Sequence, residues 1–192
     1  MKRLLFLLLM CMPIVVGAQV MTVEEATAVV KEKGVLEQKH VVEIEGVSKN
    51  TLFRRAMEAL SDWTGPEGRS KAGIDYSDKE EGIVTYKGVY YNGYRKLMLS
   101  SLPFYTDFTM KVRCKEGKAQ IIVSVPSMHT VLDDGSKRSW SMREIIKQQE
   151  NTDQKKLEKA KKKTNAISAR EIVYILIQSM ESALKKADDD DF

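Results

Sequence analysis

From Phe104 to Lys115 the chain alternates between two kinds of side chain. Phe104, Phe108, Met110, Val112 and Cys114 fall on one side, and Tyr105, Asp107, Thr109, Lys111, Arg113 and Lys115 fall on the other. A period of two belongs to an extended strand, so this stretch needs a sheet with one apolar face and one solvated face. Glu116-Gly117 then offers a two-residue turn. Folding back about that turn sets Lys115 against Lys118, Cys114 against Ala119, Val112 against Ile121 and Met110 against Val123. The apolar sets coincide in this register. A slip of one residue would drive Lys111 and Arg113 into the core, which fixes the register.

A sheet with one greasy face must be covered, and the sequence supplies helices for that purpose. Ser48 caps a helix over Lys49–Trp63, with Leu52, Phe53, Ala56, Met57, Leu60 and Trp63 as its apolar stripe. Ser168-Ala-Arg-Glu171 is a capping box that opens a helix toward Lys186, with Ile172, Val173, Leu176, Ile177, Met180 and Leu184 on one side. Thr22–Glu25 and Ser141–Glu144 are two more capping boxes, the first stopped at Gly34 and the second running toward Gln149. His40–Glu45, Ile74–Tyr76 and Ile83–Tyr91 read as further strands. Asn92-Gly93 reads as a type I′ hairpin turn with a return strand over Tyr94–Leu99, interrupted by Ser100–Pro103. Ser127–Arg138 reads as a loop around Asp133-Asp134-Gly135. No internal repeat is present.

Residues 1–18 have the order of a secretory signal peptide: Lys2 and Arg3, an apolar run from Leu4 to Val16, then Gly17-Ala18. The apolar run is too short for a spanning helix, which needs about 20 residues. A lipoprotein reading through Cys11 is weaker, because bulky Met10 precedes that cysteine. Cleavage after Ala18 would leave Gln19 first, Cys114 as the one remaining cysteine, and no intrachain disulfide. It would also lower the formal net charge of +4 by the two charges of Lys2 and Arg3. That balance is too mild to call for a polyanionic partner. The chain thus divides into a signal peptide (1–18), an N-terminal helical segment (19–37), an α+β domain (38–132), a C-terminal helical extension (133–187) and an acidic tail (188–192). The expected location is outside the cytoplasm: periplasm, cell surface or secreted.

The order of strand, helix ending at Trp63, short strand, Asp78-Lys-Glu-Glu-Gly82 turn, Ile83-led strand and Lys115-Glu-Gly-Lys118 hairpin resembles a known domain family. This is the domain family of unknown function numbered four-four-six-eight, found in exported proteins of Bacteroides-type bacteria. The resemblance covers about Lys39 to Val131. It implies a TATA-binding-protein-like α+β fold, a curved antiparallel sheet packed on helices. Two departures stand out: Glu116-Gly117-Lys118 where the family usually has an aspartate-glycine-arginine-like turn, and Tyr90–Leu102, which reads as an insertion. The family brings no established activity or catalytic residues.

The residues themselves suggest no catalytic constellation. His40 and His129 are far apart, each without a neighbouring ligand, so no metal and no cofactor are expected. No Gly-x-Ser-x-Gly elbow occurs. Cys114 lies on the apolar side of its strand, the position of a small hydrophobe. Asp133-Asp134 is better read as a polar turn than as a glycosidase pair. Lys155, Lys156, Lys159, Lys161, Lys162 and Lys163 form a basic run without interleaved aromatics. That run suits a solvated helix face, or at most peripheral contact with anionic lipid, and not nucleic acid. The best binding surface in the sequence is aromatic, Tyr90, Tyr91, Tyr94 and Tyr105, although ordinary cross-strand packing accounts for these tyrosines more readily. The reading that results is a non-enzymatic binding or scaffold module of the cell envelope, with an envelope protein or a small ligand as partner. The alternative is an envelope or glycan hydrolase working through loop carboxylates.

Overall fold

The computed structural model describes residues 18–63, 73–97, 100–152 and 167–186. Within them the chain runs α1 (Val23–Lys33), β1 (Leu36–Glu43), α2 (Lys49–Ser61), β2 (Gly73–Asp78), β3 (Ile83–Leu97), β4 (Ser100–Lys115), β5 (Lys118–Val131), β6 (Lys137–Ser141), α3 (Met142–Glu150) and α4 (Ala169–Lys185). The signal peptide (apart from Ala18), the Lys155–Lys163 run and the acidic tail lie outside the described residues.

The helices begin where their caps place them. Thr22, Ser141 and Ser168 each accept the N–H of the glutamate three residues on, and each glutamate reaches back to the cap's own N–H. Ser48 caps α2 through the N–H of Thr51. Gly34 ends α1 in the left-handed conformation, at φ 79°.

The strands form one curved antiparallel sheet in the order β1-β5-β4-β3-β2. β6 joins β5 beyond the end of β1: β1 pairs with Lys118–Val125 and β6 with Ser127–Val131. The β4–β5 register is the one the sequence dictates, with Cys114 opposite Ala119, Val112 opposite Ile121 and Met110 opposite Val123. These side chains form a single core with all four helices. α4 alone fully buries Ile172, Val173, Leu176, Ile177 and Leu184. Each contributes about 1.5–3 kcal/mol on removal from water. The opposite face of the sheet carries no helix among the described residues and is called here the open face.

At the end of α2 the rings of Trp63, Tyr86 and Phe108 meet, with centroids 5.6–6.1 Å apart. The Tyr86 hydroxyl donates to the Trp63 carbonyl at 2.9 Å. Gly88 makes room for this cluster: a Cβ there would stand 2.6 Å from Tyr86 Cε1 and 2.7 Å from Phe108 Cζ.

Several elements differ from the sequence expectation. β1 begins at Leu36 rather than His40, and β2 extends to Asp78. Asn92-Gly93 is not a hairpin turn. β3 passes through it with a bulge between Tyr91 and Gly93, and reversal occurs between Leu97 and Ser100. The positive φ of Gly93, 102°, serves a bulge as readily as a turn. Continuing the ladder keeps Tyr94–Leu97 paired with Ser100–Pro103, pairs that a turn at Asn92 would forfeit. Ser100–Pro103 is accordingly the start of β4 and not a break. Pro103 fits because the β4 ladder to β5 begins only at Phe104. Ser127–Arg138 is not a loop either: β5 continues to Val131, and β6 starts at Lys137.

Candidate functional site

Strand alternation places Tyr91, Tyr105, Asp107, Ser127 and His129 on the open face. Tyr91 lies opposite Tyr105, Tyr105 opposite His129, and Asp107 opposite Ser127. A second bulge makes this row. Thr109 pairs with Ser124 but Asp107 pairs with Ser127, so β5 carries one extra residue at Val125-Pro126. Without it Tyr105 would face Met128 instead of His129. Bulges re-aim side chains in this way, and they accept a proline that has no N–H to donate.

The three rings form a ladder across three strands. The Tyr91 and Tyr105 centroids are 5.5 Å apart at an interplanar angle of 53°. Those of Tyr105 and His129 are 5.2 Å apart and nearly parallel, at 19°. Tyr105 and His129 are buried, whereas Tyr91 is 42% exposed. The exposed ring therefore stands on an ordered base.

Asp107 fixes that base. Its Oδ2 accepts from Ser127 Oγ at 2.8 Å and from His129 Nδ1 at 3.1 Å. Lys137 Nζ lies 3.8 Å from the other oxygen. Burial pushes the Asp107 carboxyl up. The hydrogen bonds from His129 and Ser127, with the charges of His129 and Lys137, outweigh it and hold the group below its ordinary value. A carboxylate only accepts, so His129 Nδ1 carries the proton.

This chemistry is positional and not nucleophilic. A serine relay needs the imidazole between hydroxyl and carboxylate. Here the carboxylate stands between the other two, and the serine hydroxyl spends its proton on Asp107. Cys114 is equally unsuited: burial pushes its thiol up to about 11. Asp134 accepts the N–H of Ser136 at 2.9 Å and lies below its ordinary value through its hydrogen bonds with that serine. A general acid needs the opposite shift. No group of three or more potential metal ligands occurs among the described residues.

The four tyrosines singled out in the sequence do not form one surface. Tyr91 and Tyr105 come together on the open face. Tyr90 faces the other way and packs against the core. Tyr94 is half-buried opposite Pro103. The lysines 155, 156, 159, 161, 162 and 163 lie outside the described residues. His129, expected in a loop, sits in β5 as the inner rung of the ladder. The β-branched Thr130-Val131 after Pro126 was the available signal for it. His40 is a strand histidine as expected, but it has a distant partner. Its Nε2 lies 2.9 Å from Glu181 of α4. Glu181 is also held by Lys185, and lies below its ordinary value despite the opposing effect of burial.

No described helix is long and apolar enough to cross a membrane. No curated protein matches the chain. Solved structures share its fold, two of them as follows. One is a DUF4468 family protein from Bacteroides ovatus, at 12% identity and TM-score 0.55, covering 82% of this chain and 90% of that one. The other is a TBP-like protein from Parabacteroides distasonis, at 16% identity and TM-score 0.53, covering 81% and 96%. The family model of a domain of unknown function with TBP-like fold, DUF4468, matches residues 39–128. Those residues run from β1 into the second half of β5, through the curved sheet and the β3 and β5 bulges, and over them this chain is similar to the DUF4468 family and shares its TBP-like fold.

Proposed function

We propose that this protein is a non-enzymatic binding or scaffold module acting in the cell envelope, and that Tyr91 is the contact residue of its open face. One observation carries the reading: the exposed Tyr91 ring packs, tilted, against buried Tyr105, which stacks on a His129 ring that Asp107 holds in place. A large aromatic with little freedom left to lose gives contact area at low entropic cost. The order of groups around Asp107 supports binding over hydrolysis. The signal-peptide pattern of residues 1–18 supports the compartment.

The test is capture of envelope components on the immobilised protein, wild type against Tyr91→Ala, with Tyr90→Phe as a core-side control. Tyr91→Ala is expected to lose the captured component while its thermal melt stays unchanged. An identical captured set from both proteins would overturn the assignment of Tyr91. Expression of the whole chain in a Bacteroides-type host tests the compartment. The expected product is a mature chain that begins at Gln19 by mass and is absent from the cytoplasmic fraction. An unprocessed cytoplasmic chain would overturn that part.

A further inference from the structure

We propose that the cations of β4 form a docking strip for an extended acidic peptide whose carboxylates occupy alternate positions. Lys111, Arg113 and Lys115 are successive open-face residues of β4, which is flanked on both sides by β3 and β5. Same-face side chains of a strand repeat every about 6.8 Å. Other cations of this face already have partners: Lys39 with Glu37, Lys87 with Asp75 and Lys137 with Asp107. Lys111, Arg113 and Lys115 have no ion-pair partner among the described residues. The acids near them by register do not supply one. Glu116 is turned to the N–H of Lys49, Glu43 lies across Lys118 at the edge of the sheet, and Asp78, across Ile83 from Arg113, accepts from the Tyr76 hydroxyl and the Glu81 N–H.

The neighbours of Lys111 and Arg113 are uncharged, and Lys115 lies opposite a further cation, Lys118. Thr85 and Ile122 flank Lys111, and Ile83 and Gln120 flank Arg113. An incoming chain therefore meets the charges without an intervening acid. A peptide in extended form with acids at every second residue repeats its carboxylates at the same spacing, and it shares the right-handed twist of the strand beneath it. Single-stranded nucleic acid also repeats its charge, but it relies on aromatic platforms for its bases. None of the four flanking residues is aromatic. The strip is independent of Tyr91, so either assignment can fail without the other.

The experiment titrates the whole protein with fluorescent Asp-Thr-Asp-Thr-Asp-Thr and, separately, Asp-Asp-Asp-Thr-Thr-Thr. Composition and charge are equal, and only the first presents its carboxylates on one face when extended. Tighter binding of the alternating peptide is expected, weakening with added salt. Lys111→Ser with Arg113→Ser is expected to reduce it about tenfold, from two exposed ion pairs lost. Arg113 is exposed and Lys111 half-buried, and an unchanged melting temperature confirms the fold. Tyr91→Ala is expected to leave this binding unchanged. As a rescue, Lys111→Glu with Arg113→Glu is expected to turn preference to Lys-Thr-Lys-Thr-Lys-Thr. Equal affinity for the two acidic peptides, or binding indifferent to the serine variant, would overturn the proposal. So would oligothymidine or heparin binding more tightly than the alternating peptide through the same two residues.

Discussion

Asp107 shows how one side chain can order its neighbours on a sheet face. Both of its strong donors converge on a single oxygen, Oδ2. Asp107→Asn can keep one oxygen before both donors, but it removes the negative charge that strengthens those hydrogen bonds and faces Lys137, at a cost of about 1 kcal/mol by urea denaturation. Its acid behaviour has a defined sign. The folded carboxyl lies below its ordinary value of 3.8, so its contribution is full above that value and is lost as pH falls through the folded one. Wild type is therefore expected to lose more stability than Asp107→Asn as pH is lowered from 5 to below the ordinary carboxylate range. Parallel curves would remove Asp107 from this role. Thr106 is the contrasting neighbour, fully buried with a hydroxyl that has no hydrogen-bond partner. Thr106→Val removes an unmet polar group at equal volume. It is expected to leave stability unchanged or raise it by up to about 1 kcal/mol in the same measurement.

At the scale of elements, the turns and bulges carry the information. Gly82 precedes β3 at φ 68°, and a Cβ there would stand 2.6 Å from the Cys114 carbonyl oxygen. That carbonyl belongs to backbone of the β4 ladder and cannot swing away as a side-chain tip can. Gly82→Ala is expected to cost at least about 2 kcal/mol, seen as a lower melting temperature. Gly117 is the internal control. It too has positive φ, at 69°, but no atom lies within 4 Å of its Cβ position, so Gly117→Ala should cost less. The β4–β5 hairpin was legible in the sequence because pattern and turn gave the same register. The bulges were not. Asn92-Gly93 carries a hairpin signal that the longer β3–β4 ladder overrides, and Pro126 reads as a strand end when it is an unpaired bulge residue. The site was half legible for the same reason. Tyr91 and Tyr105 were visible as aromatics, but seating His129 beside Tyr105 depends on the one extra residue in β5.

For the whole molecule, the boundary of the family match and the boundary of the folding unit are different. The match ends at residue 128, before β6, α3 and α4. Yet α4 lies on the sheet against β5 and β1 and packs beside α2, and its apolar face is buried with Ile121 and Val123 in the same core. Polar ties add to this. Glu181 reaches His40 of β1, and the Leu184 carbonyl accepts from Arg55 of α2 at 2.8 Å. Five fully buried aliphatic side chains of α4, at about 2 kcal/mol each, represent about 10 kcal/mol. That is comparable with the entire net stability of a typical domain, about 5–15 kcal/mol. A fragment of residues 39–128 should therefore not hold the fold, although it spans the recognisable family sequence. The expected result is a poorly dispersed amide spectrum and no cooperative melt for 39–128, against a dispersed spectrum and a single transition for 19–186. A cooperative, well-dispersed 39–128 fragment would show that α4 is an accessory to the sheet and not part of its core.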